Sequence, residues 1–278
     1  MTEPAIRNIS DTARWAAMYR ALETERPDPL FRDPFARKLA GTRGQQIVEL
    51  LPVRERYAWA WSMRTVLFDR FIREQIAEGV DMIVNLAAGL DARPYRMELP
   101  PSLQWIEVDL PDLLAYKESV IGNEKPVCRL ERIALDLADV VARRELFGRL
   151  ANRAKKILVL TEGLLVYLSR EEVGELARDL APFHRWITDV LSPGLLRMLK
   201  KQMGEKLDAA KAPLKFAPPE GPPFFERFGW RVLAVESTLK NAARVKRVGA
   251  LFRLIAKLPD SQGAQGSRPW SATCLLGK

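Results

Sequence analysis

The sequence has few of the residues that build disulfide frameworks, metal centres or histidine-based catalysis. Among its 278 residues are two cysteines, Cys128 and Cys274, and a single histidine, His184. A disulfide scaffold or a zinc site needs more cysteines at closer spacing, so we expect neither, and we expect no metal. This cysteine usage is typical of a reducing, cytoplasmic setting, which is where we expect the protein to act.

Long apolar runs are missing as well. No uninterrupted apolar run approaches the ~20 residues that a helix needs to cross a bilayer, so we expect no membrane span. The opening residues, MTEPAIRNISDTARW, lack the apolar segment of a secretory signal. Apolar residues make up 47% and charged residues 28% of the chain, which is the balance of an ordinary globular protein.

The charge of the chain is strongly of one sign, with a formal net charge of +9. A basic chain can indicate a nucleic-acid partner, but here the basic residues are interleaved with Asp and Glu along the whole sequence. The densest basic stretch, residues 240–257, has apolar residues at helical spacing and predicts one amphipathic helix docked on the protein. Acidic lipid, nucleic acid or a partner protein remain alternatives for its charged face. We do not expect nucleic acid to be the partner.

Strand and helix patterns alternate over most of the chain. Residues 1–79 have helical patterns and predict a helical cap packed on the core. From residue 80 onwards, short β-rich apolar runs alternate with helical stretches, which predicts a parallel sheet covered on both faces. Right-handed crossovers then give an α/β, doubly wound, Rossmann-like sheet. The final runs, WRVLAVES and SATCLLGK, predict an antiparallel pair at one edge. We expect one compact domain with its core in residues 80–278.

An insertion is predicted before these C-terminal edge strands, over residues 194–229. It begins with a helical pattern and continues with PLKFAPPEGPPFFERFG. The prolines exclude a regular helix or a central strand there. We expect the insertion to line a substrate pocket; a plain surface loop is the alternative.

Acids and one glycine stand where four consecutive strands of the predicted sheet end. Ligands of doubly wound sheets bind beyond the carboxyl ends of the strands. Gly89 follows the first strand and would let a ligand approach the backbone closely. Asp109 ends the second strand, 20 residues later, and an acid at that distance is the usual ribose-hydroxyl acceptor. Asp136 ends the third strand and could accept from the adenine amino group. Glu162 ends the fourth.

The turn VNLAAGLDARPYR lacks the G-x-G-x-x-G pattern of a dinucleotide site. A pyrophosphate needs glycine-rich backbone amides and tolerates few acids, whereas Asp91 and Glu162 add negative charge here. The edge of the sheet therefore suits a nucleoside that carries a positive charge and no phosphate, which is S-adenosylmethionine. Asp91 is interpreted as a cap of the short helix that contains Pro94, and a helix cap is also an alternative role for Asp109.

Three segments, IVNLAAGLDARPYR, WIEVDLPDLLAYK and VLTEGLLVYLSREEV, together resemble the leucine carboxyl methyltransferase superfamily. The chain is most similar to the bacterial branch of small-molecule O-methyltransferases, which includes polyketide carboxyl methyltransferases. The resemblance implies a class I methyltransferase fold and S-adenosylmethionine as cofactor. Ala87 departs from the branch, where a glycine is usual. Arg14 is a candidate for the basic N-terminal residue that touches the cofactor in eukaryotic members.

The resemblance also implies roles around the cofactor. These are Arg64 for the methionine carboxylate, Gly89 for the methionine end, Asp109 for the ribose hydroxyls, Asp136 and Leu137 for the adenine, Glu162 for the methionine ammonium, and Tyr167 for the methyl group or the substrate.

The acceptor is predicted to be a carboxylate of a small organic acid, methylated by in-line displacement. A carboxylate is already ionised at pH 7, whereas a phenol with a pKa near 10 would call for a base. His184 has the setting of a helix-end or loop histidine, so candidate bases are scarce. Arg93 and Arg96 could orient an anionic acceptor, or could be solvated surface arginines.

Other acceptors and roles remain as alternatives: a phenol or hydroxyl, a protein C-terminal carboxyl, a nucleic-acid base, or cofactor binding without catalysis. Methylation of base amino groups usually places an Asn/Asp-Pro-Pro-aromatic motif after the fourth strand, where this chain has TEGLLVYL.

Overall fold

The computed structural model describes residues 6–50, 58–260 and 268–278. Three helices precede the sheet: α1 (Ile9–Thr24), α2 (Ala36–Leu50) and α3 (Ala58–Ala77). Helix α1 begins at the N-cap residue Asn8, whose side chain accepts from the backbone N–H of Asp11. Helix α2 contains a kink at Gly41, which has a φ of 61°.

Seven strands form a single mixed sheet in the described residues. They are β1 (Met82–Leu86), β2 (Gln104–Asp109), β3 (Arg129–Ala134), β4 (Ile157–Thr161), β5 (Arg185–Leu191), β6 (Arg231–Ser237) and β7 (Ser271–Gly277). Their spatial order is β3-β2-β1-β4-β5-β7-β6. The first five strands are parallel, and β7 runs antiparallel to both β5 and β6. The predicted doubly wound, mostly parallel sheet is confirmed, and the order reverses between β1 and β4, where such sheets bind ligands.

Helices connect the strands across both faces of this sheet. They are α4 (Arg93–Arg96), α5 (Pro111–Ile121), α6 (Val140–Ala151), α7 (Arg170–Asp179), α8 (Pro193–Ala209), α9 (Thr238–Arg244) and α10 (Ala250–Ile255). Helix α7 begins with a capping box, because the Ser169 side chain and the Glu172 side chain each accept from the other residue's backbone N–H. In the described part of the chain, no helix is both long and apolar enough to cross a bilayer.

The central strands are apolar on both sides because both faces of the sheet are covered. Every residue of β1 and β4 is buried. One face packs against a cluster that includes Phe147, Phe183 and Trp186, and the other against a cluster that includes Phe68 and Trp105. Burying each large apolar side chain contributes about 1.5–3 kcal/mol, so these two layers fix the strands whose carboxyl ends carry the predicted acids.

An aromatic cluster joins helix α1 to helix α3. The ring of Trp61 lies 4.8 Å from that of Trp15 and 5.5 Å from that of Tyr19, measured between centroids. These ring contacts hold the two helices together. The division of the chain into a cap, residues 1–79, and a core, residues 80–278, stays a prediction.

The proline-rich part of the insertion is not a surface loop. Residues Pro222–Phe228 form a 3-10 helix, which a proline-rich segment can adopt where a regular helix would fail. Phe224 and Phe225 are buried in it, and the ring of Phe225 meets that of Trp186 edge-on at 4.9 Å between centroids. The surface-loop alternative is therefore wrong for this part of the insertion.

The basic stretch, residues 240–257, does not form the single docked helix that was predicted. Helix α9 ends at Arg244 and α10 begins at Ala250, because Lys246 between them adopts a left-handed conformation with a φ of 58°. Helix α10 contains no buried residue, and Leu251 and Leu254 are 65% and 63% exposed. Helical spacing of apolar residues predicted one inward face, but the break divides it: Val248 is buried, whereas Leu251 faces solvent.

Candidate functional site

A cavity of about 1080 Å³ opens at the carboxyl ends of β1, β2, β4 and β5. The segments that follow these strands line it, together with residues of α1, α3 and α8. Ligand pockets usually measure about 300–1,000 Å³, so this cavity is large enough for a nucleoside cofactor and a second molecule beside it.

The cavity brings together nearly all the residues singled out in the sequence. Those that line it are Arg64, Ala87, Gly89, Asp91, Arg93, Asp109, Asp136, Leu137, Glu162 and Tyr167. Arg14 does not line it; its guanidinium lies over the Tyr116 ring, 3.7 Å from the centroid. His184 is at the opposite edge of the sheet, where its Nδ1 accepts from the backbone N–H of Ile157, the first residue of β4. It cannot act as a base in this cavity.

Asp109, the last residue of β2, binds the turn that follows β1. Its Oδ2 accepts from the Gly89 N–H at 2.6 Å and its Oδ1 from the Leu110 N–H at 2.7 Å. Helix α5 has Leu110 as its N-cap residue and no side-chain cap, so the helix-cap alternative for Asp109 is wrong. Burial raises the pKa of Asp109, and the two N–H donors oppose that rise.

The turn after β1 requires two left-handed residues. Gly89 has a φ of 53°, and a Cβ there would lie 3.4 Å from Ala13 of α1. Ala87 has a φ of 51°, so this alanine holds a conformation that favours glycine. The departure from the family pattern therefore places a residue with a Cβ where the backbone conformation favours glycine.

Replacing Ala87 by glycine is expected to stabilise the fold by about 0.5–1 kcal/mol. The gain from relieving the left-handed alanine, about 1–2 kcal/mol, is partly offset because glycine frees the unfolded chain. Urea unfolding of the Ala87→Gly variant measures the difference. Ala88→Gly is the matched control, since the structure gives Ala88 no positive φ, and it should lose stability. Equal behaviour of the two variants would contradict strain at position 87.

Asp91 is a structural anchor of the same turn. Its carboxylate accepts from the backbone N–H of Arg93 at 2.9 Å, from the Arg93 side chain at 2.7 Å and from Asn85 at 2.9 Å. Burial alone would raise its pKa, but the charge of Arg93 holds the pKa of Asp91 well below its usual value. The predicted cap is partly correct: Asp91 binds the first N–H of α4, but the N-cap residue is Ala92.

Arg93 and Arg96 are buried, with side chains only 3% and 4% exposed. Both guanidinium groups bind Asp69 of α3. Arg93 Nη2 also lies 2.8 Å from Glu162 Oε2. The two groups form an ion pair, but their geometry is not that of a hydrogen bond. The surface-arginine alternative is therefore wrong. A substrate-orienting role for Arg93 stays a prediction, and its guanidinium already pairs with carboxylates of Asp69, Asp91 and Glu162.

Arg64 lies between two carboxylates that border the cavity. Its Nε donates to Glu162 Oε1 at 3.1 Å, and its Nη1 donates to Asp189 Oδ2 at 3.4 Å. The three side chains remain 13–18% exposed. This arrangement presents a cation beside two anions to one cavity, which suits a zwitterionic group.

Asp189 is a site residue that was not predicted from the sequence. It lies on β5, and its Oδ1 accepts from the Gly163 N–H at 2.7 Å. Burial raises the pKa of Asp189, and the charge of Arg64 opposes the rise. Gly163 has a φ of 68°, and a Cβ there would lie 3.0 Å from Arg64 Nη1, so glycine leaves room for the guanidinium. An acid near the carboxyl end of the fifth strand was the signal that could have found Asp189.

Tyr167 belongs to a 3-10 turn, Leu165–Tyr167, directly after β4. Its hydroxyl forms a hydrogen bond with the Thr12 side chain of α1. Burial raises the pKa of Tyr167, so its phenol stays protonated at neutral pH. It can donate a hydrogen bond there and cannot serve as a base.

Asp136 and Leu137 lie in the turn after β3, which ends at Ala134 and not at the predicted Asp136. Asp136 Oδ1 accepts from the Ala138 N–H at 2.9 Å, and the Leu137 carbonyl accepts from Arg143 at 2.8 Å. The turn is thus held in place while both residues line the cavity.

The family model for leucine carboxyl methyltransferases matches residues 13–181 of this chain. A Frankia alni protein described as a candidate S-adenosyl-L-methionine-dependent methyltransferase is 36% identical over 194 residues, covering 63% of this chain and 66% of that protein. A protein of the same description from a Parafrankia species is 32% identical over 250 residues, covering 83% and 79%.

Two solved structures share the fold. One is a DUF574 family protein from Streptomyces avermitilis, with a TM-score of 0.57, 12% identity and coverage of 96% of this chain and 97% of that one. The other, from Thermobifida fusca, is described as a candidate methyltransferase, with a TM-score of 0.56, 14% identity and coverage of 99% and 96%. At such identities the likeness shows the fold alone.

Proposed function

Since the chain belongs to the leucine carboxyl methyltransferase family and is an S-adenosylmethionine-dependent methyltransferase, we propose that it methylates a carboxylate of a small organic molecule. The observation that carries the proposal is the Arg64–Glu162–Asp189 cluster in the same cavity as Asp109. The cluster offers opposite charges for the two charged groups of a methionine end, and the two carboxylates of the cluster are already paired with Arg64.

The residues of the cavity fit S-adenosylmethionine group by group. Arg64 would bind the methionine carboxylate and Glu162 the ammonium, because both side chains are partly exposed to the cavity. Asp109 would hold the ribose hydroxyls with the acceptor capacity left after its two backbone N–H bonds. Asp136 and Leu137 would flank the adenine. The single tight turn at Gly89 lacks the row of amides that a pyrophosphate requires.

When bound, the cofactor supplies an electrophilic methyl group on a cationic sulfur. The residues of this chain hold the acceptor oxygen in line and keep water away. Positioning of this kind can lower a barrier by roughly 7–11 kcal/mol. An anionic acceptor and a cationic sulfur neutralise one another during transfer. Exclusion of water from the reacting groups favours that neutralisation. The protonated Tyr167 hydroxyl would donate to the acceptor carboxylate and orient it.

The ionisation of the nearby groups favours a carboxylate over a phenol. Tyr167 stays protonated, Glu162 and Asp189 are paired with Arg64, and His184 lies at the other edge of the sheet. A phenol would need a base to take its proton, and these groups are poor candidates, whereas a carboxylate arrives ionised.

A matched pair of acceptors tests the proposal. We expect 3-phenylpropanoate to yield a methyl ester and 4-propylphenol to yield no ether, when transfer of labelled methyl from S-adenosylmethionine is followed by mass spectrometry. The kcat for the acid should change less than about twofold between pH 6.5 and 8.5, because an acid of pKa near 4–5 is ionised throughout. Transfer to the phenol with a rate that rises with pH, or transfer only to RNA, DNA or a peptide C-terminus, would contradict the proposal.

A further inference from the structure

The cavity has an apolar compartment beside the proposed cofactor site. Helix α8 contributes its first wall through residues that recur at helical spacing on one face, all of them lining the cavity: Leu195, Met198, Leu199, Met203 and Leu207. The only buried residues of α8 are Gly194, Met203 and Leu207. Leu195, Met198 and Leu199 are therefore partly exposed beside the cavity, and Leu199 also packs against the apolar cluster that contains Met203 and Leu207.

The opposite wall of this compartment is apolar too. Trp15, Trp61 and Val166 line the cavity and pack in the same apolar cluster as Met203 and Leu207. Backbone hydrogen bonds connect this wall to the insertion, because the Val166 carbonyl accepts from the N–H groups of residues 215 and 216 at 2.7 and 3.1 Å. The compartment thus adjoins the 3-10 turn that carries Tyr167.

The α8 side of the compartment contains little charge. Of the cavity-lining residues between positions 191 and 214, Lys211 is the one charged residue, and it is exposed at the end of α8. A polyanionic or sugar-like acceptor would lose its hydration there without gaining partners. An apolar body would lose no hydrogen bonds, and the flexible side chains of Met198 and Met203 can adapt to its shape.

We propose that the acceptor is an amphiphilic acid, whose apolar aliphatic or aromatic body occupies the compartment formed by α8, Trp15, Trp61 and Val166. Its carboxylate is directed to Tyr167. The inference rests on the proposed carboxylate methylation and adds the class of acid. It excludes small hydrophilic acids such as succinate as good acceptors.

A series of straight-chain acids from hexanoate to dodecanoate tests the compartment, with succinate as the hydrophilic comparison. Each added methylene is expected to raise kcat/KM about fourfold until the compartment is full, because a buried methylene contributes about 0.8 kcal/mol. Binding of the same acids to the complex with S-adenosylhomocysteine is measured by calorimetry. The affinity should increase by the same factor for each added methylene. A flat series, or a preference for succinate, would overturn the inference.

The two measurements separate failure of the inference from failure of the proposed function. Binding that increases with chain length without ester formation would contradict carboxylate methylation and support the compartment. Ester formation that is independent of chain length would support carboxylate methylation and overturn the amphiphilic acceptor.

Two variants on α8 locate the effect. Met198→Gln keeps the length of the side chain but places an amide on the compartment wall, and should weaken binding of decanoate about tenfold while binding of S-adenosylhomocysteine stays unchanged. Lys201→Gln, on the exposed side of the same helix, is the control and should bind decanoate as the unaltered protein does. Equal decanoate binding by both variants would contradict the placement of the apolar body against α8.

Discussion

Replacing Asp109 by alanine is expected to weaken binding of S-adenosylhomocysteine by at least about 100-fold. The carboxylate holds the Gly89 and Leu110 N–H groups and is the proposed partner of both ribose hydroxyls. Hydrogen bonds to a charged group contribute about 1.5–3 kcal/mol each, so the loss of two such bonds corresponds to about two to four orders of magnitude in affinity. Isothermal calorimetry with S-adenosylhomocysteine measures the change directly.

The control for this prediction is Asp112→Asn, three residues further along the chain. Asp112 is an exposed residue in the first turn of α5 and does not line the cavity. Its substitution should leave binding of S-adenosylhomocysteine within about twofold. If folded Asp109→Ala bound S-adenosylhomocysteine as tightly as the Asp112→Asn control, the ribose role of Asp109 would be wrong. Circular dichroism of both variants separates lost binding from lost folding.

The parallel part of the sheet could be predicted from the sequence because local patterns and crossover handedness determine it. Apolar runs such as those of β1 and β4 alternate with helical stretches, and right-handed connections leave few arrangements for them. The position of β7 between β5 and β6 could not be predicted in this way. Both final strands have similar patterns, and which of them is inserted depends on packing between distant segments.

The acids at strand ends were predictable for a similar reason. Gly89, Asp109 and Glu162 each follow a recognisable apolar run, and parallel strands bring their carboxyl ends to one edge. Asp189 was missed because it lies inside β5, before the strand ends at Leu191. Asp69 was missed because a lone acid within a long helical pattern is usually solvated, and only the tertiary structure shows its two arginine partners.

The burial of Arg93 and Arg96 could not be predicted from sequence patterns. Arg93 and Arg96 follow a turn, where charged side chains are usually exposed. They are buried because Asp69 and Asp91 supply carboxylates on the inner side of α4. Arg247, in the linker between α9 and α10, likewise pairs with the distant Glu23 of α1. Such pairs between remote segments leave no periodic signal.

Replacing Asp69 by asparagine is expected to lower the free energy of unfolding by about 3–5 kcal/mol. Asp69 is buried and binds both Arg93 and Arg96 at 2.6–2.8 Å. Removing one partner of a buried pair leaves the other charges without compensation, which is the costly case. Urea unfolding measures the loss. Cofactor binding should weaken as well, because Arg93 joins Asp69 to Glu162 at the cavity.

The pH dependence of stability gives a second readout for the same variant. Burial alone would raise the pKa of Asp69, but the charges of Arg96 and Arg93 hold it below the ordinary value of 3.8. A depressed carboxyl contributes stability that is present above its unfolded pKa and is lost as the pH falls through its folded pKa. The unaltered protein should therefore lose stability steeply below about pH 4, and Asp69→Asn should lose less over that range.

Glu74→Gln is the matched control, because it makes the same carboxylate-to-amide change on the exposed side of α3. Glu74 pairs with Arg70 at 3.6 Å with its side chain half-exposed, and a surface pair of this kind contributes less than about 0.5 kcal/mol. The two variants could unfold at the same urea concentration and lose the same stability below about pH 4. That result would contradict a stabilising role for the buried arginine–carboxylate network. A large loss confined to Asp69→Asn would show that the buried network stabilises the fold, and weaker cofactor binding by the same variant would connect that network to Glu162 through Arg93.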